Sequence, residues 1–194
     1  MKELSCFKTY DIRGEIDVNI DEGIVYRISR ATSQHFAAKS IVVGFDARKT
    51  SPDYASAAAK AIQDSGSDVI NIGLAGTEEM YWAVTEFNSS AGIEVTASHN
   101  PIEYNGMKIV KACSEPLNNF EFEEIKKLTE DHVFSSNEIR GKVYFKNEEA
   151  KEKYVKKLLS FVDLNSLKPM KIVINSGNGA AGPTLDSLEQ GLKK

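Results

Sequence analysis

Residues 95–108 read Val-Thr-Ala-Ser-His-Asn-Pro-Ile-Glu-Tyr-Asn-Gly-Met-Lys. They gather a hydroxyl, an imidazole and an ammonium group into one short stretch. Ser98 offers an oxygen nucleophile and His99 stands beside it. Lys108 follows Asn105-Gly106, the strongest short turn signal in the chain. A serine that accepts and donates a phosphoryl group needs exposure, a nearby base and cations to answer the phosphate charge. Taken alone, Ser98 also fits a polar turn, since Ser, Asn and Pro all favour turns. Lys108 alone fits a solvated strand face.

Two clusters upstream add weight. Phe7-Lys-Thr-Tyr-Asp-Ile-Arg-Gly14 puts Tyr10 and Arg13 in a loop-like segment. A guanidinium there can grip a phosphate through two hydrogen bonds at once, which an ammonium cannot. Gly44-Phe-Asp-Ala-Arg-Lys-Thr-Ser51 places Arg48 and Lys49 between an apolar run and a helix start. Backbone N–H groups at a helix N-terminus favour anions. His35 ends a predicted helix and His132 lies in a polar stretch, so both read as surface or packing residues. Asn175-Ser-Gly-Asn-Gly-Ala-Ala-Gly182 looks like a glycine-rich phosphate loop but lacks the G-x-G-x-x-G spacing and the Walker lysine. A tight strand-to-helix turn explains it better.

The elements that must carry these residues alternate. Ile41–Phe45, Asp68–Ile72 and Ile93–Val95 read as buried strands, the last running straight into Ser98. Between them, Ala55, Ala58, Ala59 and Ile62 share one helical face, as do Met80, Ala83, Val84 and Phe87. Ser51 is the expected cap of the first of these helices, Pro52 its first residue and Gly66 its stop. Ile24, Ile28 and Ala31 predict an earlier helix, and Phe122 with Ile125 a later one. Met107–Val110 is expected as a strand after the Asn105-Gly106 turn. The pattern predicts an α/β fold with a mixed, mostly parallel sheet and flanking helices. Such folds bind ligands beyond the carboxyl ends of strands. Tyr154, Val155, Leu158, Leu159 and Val162 form a further helical stripe, and Lys171–Ile174 reads as another strand. One strand with a helix or two cannot build an independent α/β domain. Residues 1–147 are therefore expected to form one domain, and 148–194 the incomplete start of a second, similar one.

Composition narrows the function classes. Hydrophobic residues make up 41% and charged residues 27%, ordinary for a globular protein with a real core. Twenty-four basic against 28 acidic side chains give a net charge of −4, which argues against a nucleic-acid partner. Cys6 and Cys113 are two widely spaced cysteines, expected as reduced thiols. The polar start has no apolar signal core, and no segment approaches the roughly 20 apolar residues a membrane span needs. A cytoplasmic protein without a membrane partner is expected.

Together the segments resemble the α-D-phosphohexomutase superfamily, and within it the bacterial phosphomannomutases. The matching stretches are Tyr10-Asp-Ile-Arg-Gly14, Gly44-x-Asp46-x-Arg48, Gly76-Thr-Glu-Glu-Met-Tyr81, Thr96-Ala-Ser-His-Asn-Pro101, Tyr104-Asn-Gly-Met-Lys108 and Val173-Ile-Asn-Ser-Gly-Asn-Gly-Ala-Ala-Gly182. The resemblance implies that Ser98 is carried as phosphoserine and forms a hexose 1,6-bisphosphate from a phosphosugar substrate. The net reaction would interconvert mannose 6-phosphate and mannose 1-phosphate. By the same resemblance Arg13 contacts phosphate, Lys108 acts as acid/base or charge stabiliser, and His99 and Tyr10 support them. Arg48 and Asn100 join Tyr10 as expected phosphate or substrate contacts. Mg²⁺ would neutralise the transferring group, with Ser98 a ligand through its phosphate. The family's Asp-Gly-Asp-x-Asp-Arg metal loop does not occur in these residues, so negligible mutase activity is expected of them alone. Gly76-Thr-Glu-Glu-Met-Tyr81 leans toward mannose. Phosphoglucomutase or dual-specificity activity is the alternative, and a non-catalytic anion-binding module a second. Exposed apolar surface in the second-domain remnant would be mobile, repacked, or covered in a homo-oligomer.

Overall fold

The computed structural model describes residues 4–135 and 138–192. A six-stranded sheet forms from β1 (Ile12–Glu15), β2 (Ser40–Phe45), β3 (Asp68–Leu74), β4 (Ala91–Val95), β5 (Tyr104–Lys111) and β6 (Val143–Phe145), in the order β1-β5-β4-β2-β3-β6. Neighbours β4–β2, β2–β3 and β3–β6 run parallel, while β5 runs antiparallel to both β4 and β1. The mixed, mostly parallel sheet matches the sequence expectation.

Period two explains why both faces are buried. In β2, Ile41 and Val43 enter one core and Val42 enters the other. The first face is covered by α1 (Glu22–His35), α2 (Ser51–Asp64) and α4 (Asn119–Asp131), the second by α3 (Thr77–Glu86) and α5 (Asn147–Leu159). The helix starts are locally encoded. Asp21 accepts the Ile24 N–H, and Asn118 with Glu121 forms a reciprocal capping box. Gly66, at φ +80°, ends α2 as expected.

Several expectations give way. Asn105-Gly106 is not a turn but the second and third residues of β5; the chain reverses earlier, within residues 97–103. Ser51 is not the cap of α2 but its first residue, with Thr50 at the cap position. The apolar stretch Lys171–Ile174 forms no strand, because no neighbouring strand offers it a ladder. Val162 lies beyond the end of α5. Beta6 is too short to read from sequence. The last helix, α6 (Ala181–Leu192), packs on α5, and α5 in turn packs on β3 and α3. Helix α5 thus rests against the sheet and α3, and α6 rests on α5. Cys6 and Cys113 are unbridged. Burial pushes the Cys6 thiol up to about 11, which leaves it inert at neutral pH. Among the described residues no helix is long and apolar enough to cross a membrane.

Candidate active site

Helices α2 and α3 follow adjacent parallel strands but lie on opposite faces of the sheet. Their connecting loops therefore diverge and open a crevice at the carboxyl ends of β2, β3 and β4. The crevice measures about 640 Å³. Asp46, Arg48 and Lys49 line it after β2, Gly76 and Thr77 after β3, and Glu94, Thr96, Ser98 and Asn100 in and after β4. The glycine-rich turn Gly177–Ala181, which leads into α6, closes its far side.

Ser98 sits exposed at the mouth with φ +56°, a left-handed conformation that is strained for a residue with a Cβ. Its neighbours hold it there. The Ser98 N–H donates to Thr96 Oγ1 at 2.9 Å, and Thr96 Oγ1 donates to Asp46 Oδ2 at 2.8 Å. Asp46 Oδ1 accepts from Ser51 Oγ at 2.6 Å and from the Arg48 N–H at 3.0 Å. The displaced cap residue Ser51 thus serves the loop rather than its own helix.

Arg48 is the principal brace. Its Nη1 donates to Pro101 O at 2.8 Å and Tyr104 O at 2.9 Å; its Nη2 donates to Asn100 O at 2.6 Å and Ser98 O at 2.9 Å. Its Nε stands 3.3 Å from Asp46 Oδ2. That last contact is an ion pair whose geometry falls short of a hydrogen bond. Loop carbonyls thus occupy both of its terminal nitrogens, and Arg48, expected as a phosphate contact, holds the serine loop in this structure. Asn100 is committed as well, since its Oδ1 accepts from Arg13 Nη1 at 2.5 Å. Arg13 Nε pairs with Asp11 at 2.7 Å, which leaves Nη2 without a partner among the described residues. Arg13 can still offer that nitrogen to an anion.

The remaining expected residues sit less tightly. His99 Nδ1 is 3.4 Å from Ser98 Oγ, too long for efficient proton transfer. Tyr10 is 80% exposed, with its ring held by nothing described. Lys108 lies in β5 opposite Glu94, half-buried, and its ammonium makes no hydrogen bond or ion pair among the described residues. Lys49 is exposed on the crevice wall. Ser98, Arg48, Lys49 and Asn100 meet at the crevice, whereas His99, Tyr10, Arg13 and Lys108 are not among its lining residues.

Sequence reasoning missed the polar layer behind the loop. Asn105 Nδ2 donates to Thr50 Oγ1 at 2.9 Å and Ser51 Oγ at 3.1 Å, tying β5 to the start of α2. Glu94 is fully buried between Ile93 and Val95. A charged residue inside an apolar strand was the available signal. Glu79, 1% exposed, accepts from Lys151 of α5 at 2.5 Å, and Lys151 also donates to Thr184 of α6 at 2.8 Å. Glu79 and Met80 are thus packing residues, and only Gly76 and Thr77 of that segment line the crevice.

The Lys151 contacts seat the glycine turn. Lys151→Met should strand the buried Glu79 charge and cost about 3 kcal/mol. Limited proteolysis should then cut within 177–192 well before the wild-type chain is cut. Unchanged protection of that segment would count against the tie.

No group of three or more His, Cys, Asp or Glu among the described residues is placed to hold a metal ion. Asp46 is saturated by its partners, and Glu94 is sealed in the floor. The side chains at hand do not fit Mg²⁺ by themselves.

Residues 5–136 match the model of the phosphoglucomutase/phosphomannomutase family, α/β/α domain I. The chain belongs to this family. Among its relatives, a phosphomannomutase of Salmonella montevideo is 42% identical over 194 residues, covering all of this chain and 42% of the relative. A phosphomannomutase of Vibrio cholerae is 45% identical over 196 residues, covering 98% of this chain and 42% of the relative. The fold also matches the crystal structure of a phosphoglucomutase/phosphomannomutase family protein from Burkholderia thailandensis. That match has a TM-score of 0.84 at 29% identity, over 99% of this chain and 43% of that one. The chain spans about 42% of the length of the phosphomannomutases it matches. Within the matched residues, Ser98 stands in the exposed turn that Arg48 braces.

Proposed function

We propose that these residues form the serine-bearing domain of a phosphomannomutase, with Ser98 as the phosphoryl carrier. The observation that carries the reading is Ser98 itself: an exposed hydroxyl in a strained turn, at the mouth of a crevice, clamped through its own carbonyl by Arg48. Relatives named phosphomannomutase support the substrate class. In the forward step the Ser98 Oγ–P bond breaks as a hydroxyl of mannose 6-phosphate bonds to the same phosphorus. Lys108 takes the hydroxyl proton or steadies the developing charge. The resulting hexose 1,6-bisphosphate reorients and returns its other phosphate to Ser98 Oγ, and the freed sugar oxygen takes the proton back. Arg13 Nη2 would meet a phosphate oxygen, and His99 and Tyr10 would flank it. Mg²⁺ would supply charge neutralisation, with the serine phosphate as this domain's contribution to its binding.

Residues 148–194 read best as the opening of a second domain, since α5 and α6 pack on one another and the family match ends at 136. Ile172 is 66% and Val173 97% exposed beside them, an apolar surface that a second copy would cover in a homo-oligomer. We place the protein in the cytoplasm.

Incubation with a hexose 1,6-bisphosphate should add one phosphate to the intact mass of the chain, and Ser98→Ala should abolish the gain. Phosphate bound near Ser98 without that covalent gain would favour an anion-binding module instead. Residues 1–194 taken by themselves should turn over negligibly, since one domain positions only part of a site built between domains. A coupled assay giving about 10 s⁻¹, the enzyme median, would overturn that expectation. Glucose and mannose phosphates compared in the longer protein would separate phosphomannomutase from phosphoglucomutase or dual specificity.

A further inference from the structure

Glu94 is a buried carboxyl that the proposed chemistry leaves unused. It is 0% exposed, and neither of its oxygens has a hydrogen-bond partner. Yet it belongs to the floor of the crevice that holds Asp46, Arg48 and Ser98. The neighbouring strand makes room for it. Gly44 is its register partner in β2, and a Cβ on Gly44 would collide with Glu94 Oε2.

The groups around it leave it isolated. Asp46 approaches from the loop after β2, Glu78, Glu79 and Tyr81 from α3, and Lys151 from α5. Lys151 is already closed on Glu79. Lys108 lies across the β4–β5 ladder, and β3 contributes the apolar Ile72 beside Gly44. Burial first, then Asp46, Glu79 and Glu78, pushes the Glu94 carboxyl well above the ordinary range, against a smaller pull from Lys151.

We propose that Glu94 is a positioning residue for Ser98, acting through Asp46 and Arg48. As an uncharged acid it leaves Asp46 free to keep the charge on which Ser51, Thr96 and Arg48 converge. An anion at position 94 would stand near Asp46 with no donor of its own. Relief comes if Arg48 turns toward the new charge. That turn releases the carbonyls of Ser98, Asn100, Pro101 and Tyr104. The serine loop is therefore held while Glu94 is protonated and slackens as pH rises through its raised pKa.

Amide exchange of residues 96–104 tests this in the 194-residue chain, over a series from about pH 5 to about pH 10. After correction for base-catalysed exchange, the wild-type loop should open about tenfold more across the series. Glu94→Gln, which keeps the shape and cannot titrate, should show no such rise. Thermal melts give a second readout. Below the ordinary carboxyl pKa both folded and unfolded chains hold the proton; between that value and the raised one only the folded chain does. Wild-type stability should fall through that interval, and the Glu94→Gln curve should lack that slope. Should the glutamine variant fold poorly, Glu94→Met, neutral and of similar volume, should give the same flat loop profile. A neutral variant whose loop opens with pH as the wild type does, or a wild-type loop with no pH dependence, overturns the proposal.

The activity arm rests on the phosphohexomutase reading. Phosphorylation of Ser98 by a hexose 1,6-bisphosphate should fall with the opening of the loop in wild type and stay level in Glu94→Gln. A wild-type chain that never accepts phosphate would overturn that reading, and the exchange data would still decide the role of Glu94.

Discussion

Arg48→Met should lower the stability of the chain by about 3 kcal/mol and slow phosphate uptake at Ser98 by about a hundredfold. The first figure follows from what the guanidinium holds. It makes four charge-assisted hydrogen bonds to loop carbonyls at 2.6–2.9 Å and pairs with Asp46 at 3.3 Å, with its side chain only 13% exposed. Bonds to charged donors contribute roughly 1.5–3 kcal/mol each when counted singly, but four bonds to one group are far from additive. The freed carbonyls can also swing out to water, which caps the loss near the cost of opening the loop. That opening carries the second effect. A displacement of about 1 Å at a reacting atom costs on the order of a hundredfold in rate. Arg48→Lys should rescue little, because one ammonium cannot span four acceptors arranged around a planar fork. Chemical denaturation and the rate of mass gain at Ser98 would check both figures. A lysine variant with wild-type stability and phosphorylation rate would show that charge alone suffices.

Gly106→Ala should cost about 3 kcal/mol or prevent folding, a severe outcome for one methyl group. Gly106 lies in β5 where β1 and the chain leaving β4 press from both sides. A Cβ there would overlap the Ile12 carbonyl and crowd the Thr96 carbonyl. Those obstacles are main chain, so no rotamer change relieves them. Strand β1 would have to move, and Arg13 is the register partner of Gly106. The Thr96 N–H, which bonds Gly106 O at 3.0 Å, would shift as well. Damage should thus reach Ser98 through Thr96 and through the Arg13–Asn100 contact. Thermal denaturation decides: an alanine variant melting with the wild type would mean that β1 yields easily.

These two residues also show where sequence was informative and where it was not. The order of strands and helices was readable because local apolar periodicity and helix-start chemistry agree with the fold. Ser98 was readable because its turn is encoded by its own neighbours. Asn105-Gly106 misled because the same pair serves two geometries. Here glycine answers a close approach of three strands, and the asparagine amide reaches Thr50 and Ser51, more than 50 positions away. Lys171–Ile174 misled for the complementary reason: it has strand composition, but a strand exists only with a partner. Arg48 was legible as a cation near the loop, but its bracing of the loop was not. Its position beside a helix start is local information, whereas the carbonyls that claim its nitrogens arrive from another strand's loop. Glu94 and Glu79 were passed over because their partners, or their lack of them, are properties of the packed interior.

The four hydrogen bonds of the Arg48 brace end on main-chain oxygens, and every peptide unit carries one. The brace is therefore indifferent to which side chains residues 98, 101 and 104 present. Their chemistry could be rewritten while the curve of the loop stayed in place, with Asn100, tied by its side chain to Arg13, as the exception. The domain thus amounts to a socket: a rigid seat for a short exposed turn, into which nucleophiles other than a serine could be fitted.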